Sequence, residues 1–326
     1  MLARRRVRAD GQSDHRLGSE PPTIDHAGGI PIRPNRFLTS TAATALVVAG
    51  LLAGFTPAAT ARAPIIVAAG DIGCAGDPCQ AQRQTAALIR KIAPRAVITL
   101  GDHQYPDGAY TDFLDSYHKT WGRFRRKTNP TPGNHDYSTQ NGSGYYRYFG
   151  RRAHQNSGGT YTYNVGAWHM LSINSADGRP SSRVEDKVRR NLARDRHRCE
   201  LAYWHHATFS SGSEHGSDDR MRDVWRLLYN AGVDVVLAGH EHNYERFAQL
   251  DASGRPTVRN GIRAFTVGTG GIDDLYNLGS GISGSQSRID DRHGVLRMRL
   301  RARAYAWKFI SVGGTVLDRG RTRCHG

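Results

Sequence analysis

The chain has few cysteines, few methionines and a deficit of acid. Only four of its 326 residues are cysteine. None lies in the paired C-x-x-C knuckles of a zinc module, which argues against a cysteine-built structural zinc site. Asp and Glu number 29 against 45 Lys and Arg, a formal net charge of +16. Despite that charge, no Lys/Arg block is interleaved with aromatics as a single-strand binder requires, so no stable nucleic-acid partner is expected. There is no internal repeat, and no linker divides residues 64–326. The longest apolar run, residues 42–55, is too short and too rich in Ala and Gly for a comfortable membrane span.

That run reads instead as the core of a signal peptide. Arg33 and Arg36 precede it and Ala59-Thr60-Ala61 follows, which is the basic flank, apolar centre and small-residue end of an export signal. The expectation is a signal peptide over 33–61, cleaved after Ala61, and a secreted product with no membrane contact once it is removed. Residues 1–32 read as a disordered extension or as the product of a start codon assigned too early. Residues 1–63 carry eight arginines and four acids, leaving +12 on the remainder. An even cysteine count suits an exported protein. The simplest pairing is Cys74 with Cys79 and Cys199 with Cys324, although three connectivities remain open.

From Pro64 onward the pattern is regular. PIIVAAG (64–70), RAVITLGD (95–102), CELAYWHH (199–206) and VDVVLAGH (233–240) are short apolar runs of buried-strand type. TYTYNVGAWHMLSINS (160–175) predicts two antiparallel strands about Gly166. Helical spacing marks 80–92, 111–121, 181–197 and 218–232, and 126–160 reads as a long polar, Gly-rich loop. The tail 262–319 alternates with period two and predicts antiparallel strands. Early strand–helix alternation followed by strands predicts one layered α/β domain over 64–326.

Chemistry concentrates where those strands end. Gly70-Asp71, Gly101-Asp102-His103-Gln104-Tyr105, Gly133-Asn134-His135-Asp136, His205-His206 and Gly239-His240-Glu241-His242 place carboxylates, a carboxamide, a phenol and imidazoles at strand ends or in loops. In open α/β sheets ligands bind at that edge, and these side chains are donors for hard or borderline cations. An Asp shared by two ions about 3.5–4 Å apart would serve in-line displacement at phosphorus.

In this order the segments resemble those of the calcineurin-like metallophosphoesterases. The likeness runs from about Ile65 to Arg246, and its variants GDIG, GDHQY, GNHD and GHEHNYER are similar to the purple acid phosphatases. The resemblance implies a layered αββα sandwich of two mixed β-sheets flanked by helices. It implies that Asp71, Asp102, Tyr105 and His242 hold one metal, that Asp102 bridges, and that Asn134, His205 and His240 hold a second. A phenolate ligand favours Fe(III) at the Tyr105 site, with Fe(II), Zn(II) or Mn(II) beside it. Alignment of HHATF with the family favours His205 over His206, and neighbouring strand residues face opposite ways; His206 is left to contact substrate or to be structural. His135 and His215 are the implied proton donors to the leaving group, and Asp136, Tyr244 and Arg246 the implied supports of the imidazoles and their loop. His103 lines the pocket at most.

The implied activity is acid phosphatase action on small phosphate monoesters through a metal-activated water. A phosphodiesterase or nucleotidase on the same metal core is the alternative among enzymes, since loops 106–130, 138–160 and 250–290 carry no readable specificity. The alternative of another class is an inactive basic binder of anionic wall polymer or nucleic acid. Against it, no ligand position is lost, and RRKT (125–128) and RMRLRARA (297–304) are its only dense basic stretches. The Tyr-rich GSGYYRYFG (142–150) reads as packed aromatics in preference to a base-stacking surface.

Overall fold

Ile65–Ala69 (β1) is buried on both faces from Ile66 onward, the condition of a strand inside a parallel sheet covered on each side. The computed structural model describes residues 62–325; the extension and signal segment expected over 1–61 lie outside them. After β1 come α1 (Gln80–Ile92), β2 (Ala96–Leu100), α2 (Tyr110–Asp115), β3 (Thr128–Thr131), α3 (Asn134–Ser138) and α4 (Ser143–Phe149). Next are β4 (Tyr161–Val165), β5 (Trp168–Ser172), α5 (Ser182–Arg194), β6 (Cys199–His206), α6 (Arg222–Ala231) and β7 (Val235–Gly239). The chain ends with β8 (Tyr244–Leu250), β9 (Ile262–Val267), β10 (Ser285–Ile289), β11 (Gly294–Arg301), β12 (Ala304–Ser311) and β13 (Val316–Arg323).

Two mixed sheets result. One has the order β13-β12-β11-β1-β2-β3, the other β10-β8-β9-β7-β6-β5-β4. β1, β2 and β3 run parallel, as do β5, β6, β7 and β9, so both sheets present a block of carboxyl-terminal strand ends. Apolar side chains from β1, β2, β6, β7 and β11 form the main core, with the buried face of α1. α5 and α6 pack on the second sheet through Val188, Val224, Trp225 and Leu228 against Leu171, Ala202, Trp204 and Val236. Trp225 is fully buried, a contribution of about 1.5–3 kcal/mol. Helix, sheet, sheet and helix therefore stack in the expected αββα order. Both disulfides are present, Cys74–Cys79 and Cys199–Cys324, the second tying β6 to the segment after β13 across 125 residues. Among the described residues no helix is long and apolar enough to cross a membrane.

Three expectations are corrected. Residues 126–160 are not a loop: Thr128–Thr131 forms β3 despite Pro130, which an edge strand tolerates, and α3 and α4 follow. The tail is not wholly antiparallel, because β9 pairs parallel with β7. The periodicity over 111–121 yields only Tyr110–Asp115 as α-helix, followed by two 3-10 segments. The Tyr-rich segment packs as expected: Tyr145, Tyr148 and Phe149 are buried around Phe113 and Tyr117.

Candidate metal centre

Three of the predicted donors leave a strand by a sharp turn. Asp71, Asp102 and His240 adopt φ of 59°, 46° and 73°, the left-handed region that costs a non-glycine residue about 1–3 kcal/mol. Gly101 precedes Asp102 at φ 89°, and a side chain there would strike the His205 ring. Gly133 runs against the Asp102 carboxylate, where no Cβ fits. The backbone thus turns the two aspartates and His240 inward at one shared edge.

All seven predicted metal donors meet there. The Tyr105 hydroxyl lies 3.2 Å from both Asp71 Oδ1 and Asp102 Oδ2, and 3.0 Å from His242 Nε2. His205 Nε2 stands 3.1 Å from Asp102 Oδ2, 3.0 Å from Asn134 Oδ1 and 3.2 Å from His240 Nδ1. Asp102 therefore sits between the two groups of donors. The far nitrogens of the rings are fixed by backbone carbonyls: His205 Nδ1 on Leu100 at 2.7 Å, and His242 Nδ1 on Asp274 at 2.7 Å. A ring held this way presents its other nitrogen at a defined angle.

Charge in this cluster is balanced only from within the cluster. Among the described residues no Lys or Arg pairs with Asp71 or Asp102. Burial pushes the Asp71 carboxyl up to about 8. Burial also penalises the Asp102 anion, but His205, His135 and His240 around it together outweigh that and hold its carboxyl below the usual range. His205, opposed by burial, is raised to about 9 by Asp102 and Asp71. Burial pushes the Tyr105 phenol well above its ordinary value. Two buried carboxylates, a phenol, a carboxamide and three imidazoles, with no Lys or Arg among them, are a donor set that fits two cations.

The predicted proton donors rim the same edge. His135 donates its backbone N–H to Asp102 Oδ1 at 2.9 Å, and its ring lies 4.3 Å from that of Tyr105. His215, exposed, has its ring 4.1 Å from that of His240. His206 departs from expectation. A register shift in β6 between Tyr203 and His206 lets its ring approach His240 at 4.5 Å even though it neighbours His205. Both its nitrogens have partners, Ser175 Oγ at 2.9 Å and Arg220 Nη1 at 3.0 Å.

The supports divide. Asp136 accepts from the backbone of Gly133 and of His103 and so fixes the GNHD turn. Tyr244 and Arg246 do not touch the imidazoles. Both hold Asp318 on β13, each at 2.7 Å. His103 does not line the site: it is fully buried, bonded to Asp136 and Thr99 among aromatic rings. Sequence pattern assigns no role to Glu241, whose carboxylate receives the backbone N–H groups of His215 and Gly216, or to Tyr276, stacked 3.9 Å from His242. Glu241 is conspicuous between its two histidines. Tyr276 lies in a loop with no readable pattern.

Comparison with known proteins agrees with this fold. A family model described as calcineurin-like phosphoesterase matches residues 65–244. Probable purple acid phosphatase 20 of Arabidopsis thaliana is 27% identical over 164 residues, 42% of this chain and 38% of its own length. Purple acid phosphatase PPD1 from yellow lupin (Lupinus luteus) superposes with TM-score 0.66 at 17% identity, over 80% of this chain and 53% of its own. A dimetal phosphatase from Danio rerio gives TM-score 0.58 at 12% identity, over 81% of this chain and 99% of its own. The chain thus spans about half or less of the plant proteins it matches.

Proposed function

The chain belongs to the calcineurin-like phosphoesterase family, on the branch that resembles purple acid phosphatases, and from that premise we propose that it is an exported phosphatase acting on small phosphate monoesters at a dinuclear metal centre. The supporting observation is Tyr105, whose hydroxyl is 3.2 Å from each of two buried aspartates. Asp71, Asp102, Tyr105 and His242 would hold Fe(III); Asp102, Asn134, His205 and His240 would hold Fe(II), Zn(II) or Mn(II). When bound, the cations lower the pKa of water and offset charge on phosphoryl oxygens.

The chain's own residues do the rest. Leu100 and Asp274 carbonyls orient His205 and His242. The backbone hydrogen bond from His135 to Asp102 keeps its imidazole at the mouth, where it can deliver a proton to the departing alkoxide. His215, carried on a loop fastened by Glu241, reaches the same mouth from the other side. We read 64–326 as one catalytic domain and the two disulfides as suited to export.

The test is turnover of an aryl phosphate monoester against a bis-aryl diester, with Asp102→Asn alongside. The reading expects the monoester to be preferred and the variant to be inactive. Full activity in Asp102→Asn sinks it.

A further inference from the structure

One concentration of positive charge in the described chain stands away from the metal edge. It lies on the outer face of the six-stranded sheet. Along β11 the side chains alternate, so Leu296, Met298 and Leu300 enter the core while Arg297, Arg299 and Arg301 point outward. β12 repeats this with Tyr305, Trp307 and Phe309 buried and Ala304, Ala306 and Lys308 outward. On β13, Arg319, Arg321 and Arg323 are exposed, and the strand's one acid, Asp318, turns to the other face to hold Tyr244 and Arg246.

Register aligns these into rows. Arg299 faces Ala306, which faces Arg321; Arg301 faces Ala304, which faces Arg323; Arg297 faces Lys308, which faces Arg319. The small residues of β12 therefore make a floor between two arginine walls. With strands about 4.8 Å apart the walls stand about 9.6 Å from each other, and charges repeat every 6.7 Å or so along each wall. Two adjoining cavities of about 750 and 570 Å³ occupy this trough and share Arg301, Ala306 and Arg321. Among the described residues none of the seven cations forms an ion pair. The trough is firmly built: Cys324 bonds Cys199 just past Arg323, and the carbonyls of Arg301 and Arg303 are taken by Trp168 Nε1 and the Cys324 N–H.

Charged side chains on an edge strand commonly serve to block edge-to-edge pairing. That accounts for β13 alone. It does not account for a matching arginine row on β11, which is interior to the sheet, or for alanines between the rows. Guanidinium forks match phosphate oxygens two at a time. Nothing aromatic is exposed in the trough, since the rings of β12 are buried, so it lacks the stacking surfaces that bases require.

We propose that this trough binds a linear polymer carrying one phosphate per repeat and no bases, laid along β12 between the two arginine rows. It stands apart from the metal centre and holds whether or not that centre hydrolyses the polymer.

The probe is long-chain inorganic polyphosphate, titrated at several salt concentrations. The variant Arg299→Ala/Arg301→Ala/Arg321→Ala/Arg323→Ala should bind it about 100-fold more weakly, and the log–log salt slope should fall by about 3. Turnover of a small aryl phosphate should be unchanged, which also shows that the variant is folded. The charge-matched control Arg183→Ala/Arg189→Ala/Arg190→Ala/Arg194→Ala, on exposed positions of α5, should retain the wild-type affinity and slope. Equal losses in the two variants would assign the binding to net charge and overturn the proposal. So would no loss in the first variant, or tighter binding of oligothymidylate than of polyphosphate.

Discussion

The metal edge and the outer face of β11–β13 are opposite solutions to concentrated charge. At the edge, Asp71 and Asp102 are withdrawn from water beside His205, and burial, with the Asp102 charge adding to it, drives the Asp71 carboxyl to about 8. On the outer face most of the cations remain in solvent and tolerate one another without ion-pair partners. The first arrangement is costly without cations; the second is stable as it stands and favours anions by proximity. Burial, more than charge count, separates a centre that demands its ligand from a surface that invites one.

The largest break in that comparison is Asp102→Asn. Removing the carboxylate between the two donor groups should lower kcat on an aryl monoester by at least about 1000-fold, roughly 4 kcal/mol of barrier or more. Circular dichroism should remain that of a folded protein. Retained turnover would mean that Asp102 is no bridge. His135→Ala should fall less, by about 100-fold, with the loss reduced for substrates whose leaving groups are already acidic and need no proton. An equal loss for good and poor leaving groups would remove His135 from proton transfer.

Stability tests sharpen the contrast away from the site. Replacing Cys199 and Cys324 by serine opens a 125-residue loop and should cost about 2–5 kcal/mol, read as a lower Tm, with kcat of the folded fraction preserved. Asp318→Ala should cost about 1–3 kcal/mol, because it strands Arg246, Tyr244 and Trp307 Nε1, which all donate to that carboxylate. An unchanged Tm would show β13 to be held by backbone pairing alone. Its metal content should equal that of the wild type, since Tyr244 and Arg246 serve β13 and not the imidazoles.

Much of this architecture is legible in the residues themselves. The short apolar runs ending in Gly-Asp, His-His or Gly-His mark β1, β2, β6 and β7 and the edge they share, because strands buried on both faces must be uniformly apolar. α1 begins and ends where its spacing places it, at Gln80 and Ile92. What hides the rest is local. Pro130 and the glycines around it disguise β3, whose place comes from pairing with β2 and not from propensity. The approach of His206 to His240 depends on a register shift in β6 that alternation cannot foresee. Asp318 draws Tyr244 and Arg246 away from their expected role across 74 and 72 residues of sequence. The arginine trough needs β13 to be set against β11 with β12 between, a juxtaposition invisible in RMRLRARA alone.

Anomalous diffraction from crystals of the purified protein, with Tyr105→Phe beside the wild type, tests the central claim most directly. Two peaks should appear, each within bonding distance of Asp102; the wild type should absorb in the visible through an iron–tyrosinate bond, and that absorption should vanish in Tyr105→Phe. A single peak, or peaks remote from Asp102, would contradict the account.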